Sequence, residues 1–204
     1  MTIQERLRMT ANAFEVWLAQ SENAEKRYEL IEGKVFEMAL SSQLPTLIST
    51  ALIVALGSFV KAHNLGVVTN PEGGFRLSDD DIFAPDVAFI ARERIAAIKQ
   101  RGFFTIPPDL AVEVLSPSDS VRLVQRKAVR YLALGVREVW LIYPQEQSAE
   151  VYRPLQKGFH VLPIGIDQSL EGGSILPEFS LPLRAVFDVG YPITGEEAES
   201  EGEA

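Results

Sequence analysis

The sequence contains no cysteine. That excludes disulfides, thiolate metal sites and cysteine nucleophiles together. Histidine is almost missing as well: His63 and His160 are the only two, too few for a histidine-built zinc centre. Any metal must then be held by oxygen ligands, which points to Mg²⁺ or Mn²⁺. A cysteine-free chain suits a reducing cytoplasm, and a cytoplasmic location is the expectation. Positive charge is also in deficit. The formal net charge of −9 weighs against a nucleic-acid partner. Glu196, Glu197, Glu199, Glu201 and Glu203 at the C-terminus supply more than half of it. Acidic tails are generally solvated, so the objection weakens without vanishing. Long apolar runs are lacking too. Residues 44–60 carry no charge but include Pro45, Thr46, Ser49, Thr50, Gly57 and Ser58, short of the roughly 20 apolar residues of a spanning helix. They are read as a buried core helix, so no membrane is expected. The N-terminus has no signal-peptide pattern.

What is present suffices for one core. A chain of 204 residues with 47% hydrophobic content fits a single domain over 1–190, followed by an acidic, disordered tail over 191–204. Thr10 offers an N-cap for a helix over 10–20. Segments 28–31 and 34–38 form a hairpin turning at Glu32-Gly33. A second helix starts near Pro45 and ends before Gly66, and its all-round apolar pattern implies cover on every side. Strands follow at 67–69, 74–77, 82–90 and 110–115, with an exposed helix or loop at 92–101. A helix over 119–134, stopped by Gly135, then leads into a parallel strand over 138–143. Segments 151–153 and 158–162 make an edge hairpin, and 176–187 packs as irregular turns.

Two carboxylates interrupt apolar strands. In Leu110-Ala111-Val112-Glu113-Val114-Leu115, alternation puts Ala111, Glu113 and Leu115 on one face. A carboxylate there is costly to bury unless it is paired or metal-bound. Asp86 interrupts Phe83-Ala84-Pro85-Asp86-Val87-Ala88-Phe89-Ile90 in the same way. Each taken singly also suits a turn cap or an arginine partner. Together they suit a Mg²⁺ ion, which takes one or two carboxylates plus water and phosphate oxygens. On the following helix Leu123, Lys127, Tyr131 and Leu134 form one stripe. Lys127 is its only charge, placed to orient or deprotonate an attacking water; the other reading is a lysine whose stem packs while its amine reaches solvent. Arg122, Arg126 and Arg130 form a second stripe, read as a solvated outward face rather than as phosphate contacts.

These residues carry a resemblance. Pro85-Asp86 followed by Glu113-Val114-Leu115-Ser116-Pro117-Ser118 resembles the PD-(D/E)XK nuclease superfamily. With Tyr28 to Gly33, Arg76-Leu77 and Gly135 to Tyr143, the chain is similar, over roughly residues 10–165, to its Uma2 (DUF820) family. The resemblance implies an α/β restriction-endonuclease-like core, with a central mixed β-sheet flanked by helices. It implies Asp86 and Glu113 as metal ligands and offers Glu32 as a further acidic site residue. The superfamily's lysine two positions after the second acid is here Leu115; this group moves it to the next helix, where Lys127 stands. Two other positions depart from the family pattern, Pro45 for a histidine and Tyr143 for an aspartate.

The leading expectation is a Mg²⁺- or Mn²⁺-dependent DNA endonuclease with Glu32, Asp86, Glu113 and Lys127 at its centre. The alternative is an inactive nucleic-acid-binding module that keeps the fold. A third is a homo-oligomer assembled through the edge hairpin.

Overall fold

The computed structural model describes residues 8–23, 26–38 and 42–190; the acidic tail lies outside the described residues. The chain opens with α1 (Ala11–Leu18), whose N-cap Thr10 accepts the N–H of Ala13 at 3.3 Å. β1 (Arg27–Ile31) and β2 (Lys34–Met38) pair antiparallel, with Ile31 opposite Lys34. Both turn residues take left-handed backbone, Glu32 at φ 51° and Gly33 at φ 74°, the geometry a two-residue hairpin demands.

α2 (Gln43–Ala62) leads into β3 (Gly66–Thr69). Gly66, at φ 155°, is indispensable at this junction, because a Cβ there would stand 2.1 Å from the Ile90 carbonyl oxygen. β4 (Phe75–Arg76) and β5 (Ile82–Phe83) are short. β6 (Val87–Ala91) then precedes a 3-10 turn, Arg92–Ala97. The single strand expected over 82–90 is thus two strands. β5 belongs to a four-stranded antiparallel sheet ordered β2-β1-β5-β4, whereas β6 belongs to the main sheet. Ala84-Pro85-Asp86 carries the chain between them, and Pro85, lacking an N–H, could not have continued a ladder.

The main sheet adds β7 (Leu110–Val114), β8 (Glu138–Tyr143), β9 (Ser148–Pro154) and β10 (Phe159–Ile164). Its order is β10-β9-β8-β7-β6-β3, with only β7 and β8 parallel. α3 (Val121–Ala133) crosses between those two, and Gly135 at φ 96° ends the helical segment as expected. This is the mixed central sheet flanked by helices that the resemblance implied. The segment taken as irregular contains β12 (Ser180–Pro182), paired with β11 (Ser169–Glu171), and a short helix α4 (Leu183–Phe187).

Strand alternation divides the core in two. Val87, Phe89, Leu110, Val112, Val114, Trp140 and Ile142 pack with α2, α4 and the C-terminal segment. Ala111, Leu115, Val139, Leu141 and Tyr143 pack with Ala128 and Tyr131 of α3. Among the described residues, the cover expected around the whole of α2 is not there. Pro45, Ile48, Leu52, Leu56 and Val60 are buried along one stripe, while Val54 is 61% exposed and Leu47 41%. The helix is long and apolar enough to cross a bilayer by length and composition alone, yet its buried stripe belongs to the main core. At the other margin β10 leaves Phe159 and Leu162 exposed.

Candidate active site

The switch between sheets builds the site. Asp86 sits at the break rather than inside a strand, one residue before Val87, which pairs with Val112 of β7. Antiparallel register therefore brings Asp86 beside Glu113. Asp86 Oδ2 accepts the N–H of Val114 at 2.7 Å, closing the end of β7. Glu113 projects to the α3 face as alternation requires and is 8% exposed. Lys127, facing the sheet from α3, is 6% exposed. Its ammonium donates to Glu113 Oε2 at 3.0 Å and lies 2.9 Å from Oε1. The Tyr131 hydroxyl, one turn further along, donates to Glu113 Oε1 at 2.8 Å.

A third carboxylate completes this cluster. Glu29 of β1 is fully buried, and its Oε1 accepts from Lys127 Nζ at 2.8 Å and from the Ala84 N–H at 2.6 Å. Its Oε2 is buried with no hydrogen-bond partner, an uncompensated acceptor of the kind that costs free energy unless something else meets it. Glu29 thus ties the small sheet, the sheet-switching segment and α3 together at one point.

The position that the resemblance offered for this role, Glu32, is elsewhere. It lies on the β1–β2 turn, partly exposed, and its carboxylate pairs with Arg126 on the outer side of α3. It stands three positions after Glu29 and is itself left-handed, at φ 51°, so the two carboxylates do not share a site. The sequence held the signal for Glu29, since Tyr28-Glu29-Leu30-Ile31 has the same lone acid in an apolar strand as the segment around Glu113. The arginine stripe also differs from expectation. Arg130 reaches back to Asp81, at 2.6 and 3.2 Å, and Arg126 to Glu32, so only Arg122 of the three has no partner among the described residues. Burial pushes the Asp81 carboxyl up, but hydrogen bonds from Arg130, Ser78 and the Glu32 N–H outweigh it and hold the group below its ordinary value.

Three acids around one ammonium give the cluster unusual proton affinities. Burial pushes Glu113 up to about 8, against the pull of Lys127 and with the carboxylates of Asp86 and Glu29 adding to the rise. Burial also raises Asp86, with the Val114 N–H and Lys127 opposing. For Lys127 burial favours the neutral amine, but Glu113 and Glu29 outweigh it and hold the group above the ordinary lysine range. Tyr131 is raised well above its usual value, by burial first and by Glu113 next. Lys127 is therefore an ammonium at neutral pH. It can orient and stabilise an anion but has no lone pair with which to take a proton from water.

The donor set is one for a hard cation: carboxylate oxygens only, one of them without a partner. Among the described residues, however, no three His, Asp or Glu side chains converge as a cage, and the Lys127 ammonium stands between Glu29 and Glu113. What remains is a pair, Asp86 and Glu113, of the size that suffices for an ion completed by water and phosphate oxygens.

The family model of Uma2, described as "Putative restriction endonuclease", matches residues 11–184, a span that includes every residue of the cluster. The chain belongs to the Uma2 family. Its fold is similar to the crystal structure of "a putative nuclease belonging to DUF820" from Anabaena variabilis ATCC 29413, with TM-score 0.76 and 26% identity over 89% of this chain and 98% of that one. No curated protein matches the sequence. Within this Uma2 protein the acids of β1, β7 and the sheet switch meet the α3 lysine at the carboxyl end of β7, next to a parallel strand pair, where open α/β sheets usually place ligands.

Proposed function

We propose that the protein is a divalent-metal-dependent nuclease that hydrolyses phosphodiester bonds, with duplex DNA as the first substrate to test. The observation that carries this reading is the buried meeting of Asp86, Glu113 and Glu29 around Lys127 in a Uma2 chain. Packing alone does not call for three carboxylates against one ammonium, since a hydrophobic set of similar volume is generally no less stable.

In this reading Asp86 and Glu113 hold Mg²⁺ or Mn²⁺. The ion, when bound, supplies an acidified water and neutralises charge on the phosphate. The other groups have separate duties. The Tyr131 hydroxyl fixes Glu113 Oε1, so one carboxylate oxygen keeps its direction. Glu29 anchors the ammonium of Lys127, which is poised as a donor to a phosphoryl oxygen. Because Glu113 carries a proton near neutrality, cation binding must expel it, and metal affinity should rise with pH toward about 8.

Purified protein incubated with supercoiled plasmid and Mg²⁺ or Mn²⁺ tests the proposal. Asp86→Ala and Glu113→Ala should each lose on the order of 10²-fold or more of the nicking rate. Absence of cleavage by the wild type, or equal cleavage by the variants, rules the reading out. One observation favours a second reading, a nucleic-acid-binding module without turnover: Lys127 and Tyr131 already satisfy the two Glu113 oxygens. That reading expects plasmid binding with no cleavage by any variant.

A further inference from the structure

The α3 face of the main sheet carries a second acid in the same cross-strand row as Glu113. Glu113 pairs with Leu141 of β8, and Leu141 pairs with Glu150 of β9. Two strand spacings put Glu150 roughly 10 Å from Glu113. Three donors converge on one oxygen of Glu150. Oε2 accepts from the hydroxyls of Tyr143 at 2.7 Å and Tyr152 at 2.8 Å, and from Gln125 Nε2 at 3.3 Å. The other oxygen, Oε1, has no hydrogen-bond partner among the described residues.

This half-buried carboxylate lines a cleft of about 510 Å³ between the start of α3 and the β9–β10 side of the sheet. Val121, Pro163 and Ile164 give it an apolar wall, and Glu146 and Glu150 supply acceptors. Among the described residues no lysine or arginine lines it, and its two glutamates disfavour phosphate. Its volume is in the range of small-molecule sites. The occupant it suits is flat and apolar on its faces and donates hydrogen bonds from its edge. With Oε2 held by two phenols, Oε1 is fixed in direction, which is what separates a reading group from a solvated surface glutamate. Tyr143, which departs from the family pattern, serves here to hold Glu150.

We propose that this cleft is a base-binding subsite, taking an unpaired nucleobase that bears an exocyclic amino group, with Glu150 Oε1 as its acceptor. Carboxylates accept from the cytosine amino group in this way, whereas unpaired thymine offers only a ring N–H set between two carbonyl oxygens that face and repel the carboxylate. The proposal rests on the nuclease reading for its ligand, and the cleft lies within about a nucleotide's reach of the phosphodiester site.

Binding of labelled oligo(dC) and oligo(dT) of equal length, followed by fluorescence anisotropy in EDTA, tests it without any cleavage. The full chain should bind oligo(dC) about tenfold more tightly, the size of one good base contact. Glu150→Gln should abolish that preference while leaving oligo(dT) affinity unchanged. Val121→Trp, at a 44% exposed position on the cleft wall, should also abolish the preference by filling the space. Equal affinity for the two oligomers in the wild type overturns the proposal, as does a preference that survives both variants. Equal binding, or no binding of either oligomer, sinks the subsite and spares the nuclease, which plasmid cleavage with Mg²⁺ or Mn²⁺ decides separately.

Discussion

The two faces of the main sheet are made by the same strands and have opposite chemistry. Under α2 the buried cluster is apolar throughout, from Ile48 and Leu52 across Val112 and Trp140 to Phe187. Under α3, one residue along the same strands, Glu113 replaces what would be another aliphatic, and Lys127, Tyr131 and Glu29 gather round it. Val112 and Val114 contribute their dispersion and hydrophobic terms whatever the pH. Glu113 sits between them in sequence and has a charge that depends on proton concentration. One face holds the fold; the other uses the rigidity of the first to keep costly groups in place. Substitutions should therefore behave differently on the two sides, and pH is the variable that exposes it.

The largest expected effect is from Lys127→Met. It leaves Glu29, Glu113 and Asp86 facing one another without a cation, and breaking a buried pair in this way costs about 3–5 kcal/mol. At pH 8 urea unfolding should show that loss. Near pH 5, well below the value of about 8 at which Glu113 takes up its proton, the carboxyl is neutral and the loss should shrink. Leu52→Ala on the opposite face should cost about 2–5 kcal/mol, and the same amount at both pH values. Equal pH sensitivity of the two variants would erase the contrast between the faces.

Glu113 itself gives the next effect. Its folded-state value of about 8 lies above the ordinary value of 4.5, so the native state binds more protons than the unfolded chain between the two. The stability it contributes is full below about pH 4.5 and is lost as pH rises through about 8, by up to about 1.4 kcal/mol per pH unit. Glu113→Gln should remove this slope from the urea-unfolding pH series and make the protein more stable than wild type above pH 8. A slope that survives the substitution would assign the titration to another group.

How much of this the sequence disclosed depended on whether the cause was local. The Glu32-Gly33 turn, the α3 stop at Gly135 and the facing of Glu113 and Lys127 follow from backbone preferences and from periods of two and 3.6 residues, and all were legible. The partners of Arg126 and Arg130 were not, because Asp81 is 49 residues from Arg130 and only the assembled sheets bring them together. The same applies to the switch at Ala84-Pro85-Asp86: an apolar run interrupted there reads as a single strand over 82–90 until the sheet assignments separate its halves. Glu29 was missed for another reason. Its signal was equal to that of Glu113, but the resemblance drew attention to the neighbouring Glu32, whose left-handed backbone turns it away.

The smallest expected effect concerns α2, where the all-round apolar pattern says that the helix avoids charge but not how many layers cover it. Its outer side has no layer over it among the described residues, and Val54 is 61% exposed. Val54→Gln should then change unfolding stability by no more than about 0.5 kcal/mol. A loss of several times that size would mean that something covers the outer side of α2. The comparison of faces would then become one between three layers and two, rather than between an apolar and a charged interior. A null result keeps the contrast where the structure puts it: the inner stripe of α2 supplies the packing, and the charged cluster under α3 is the part of the interior that packing alone does not explain.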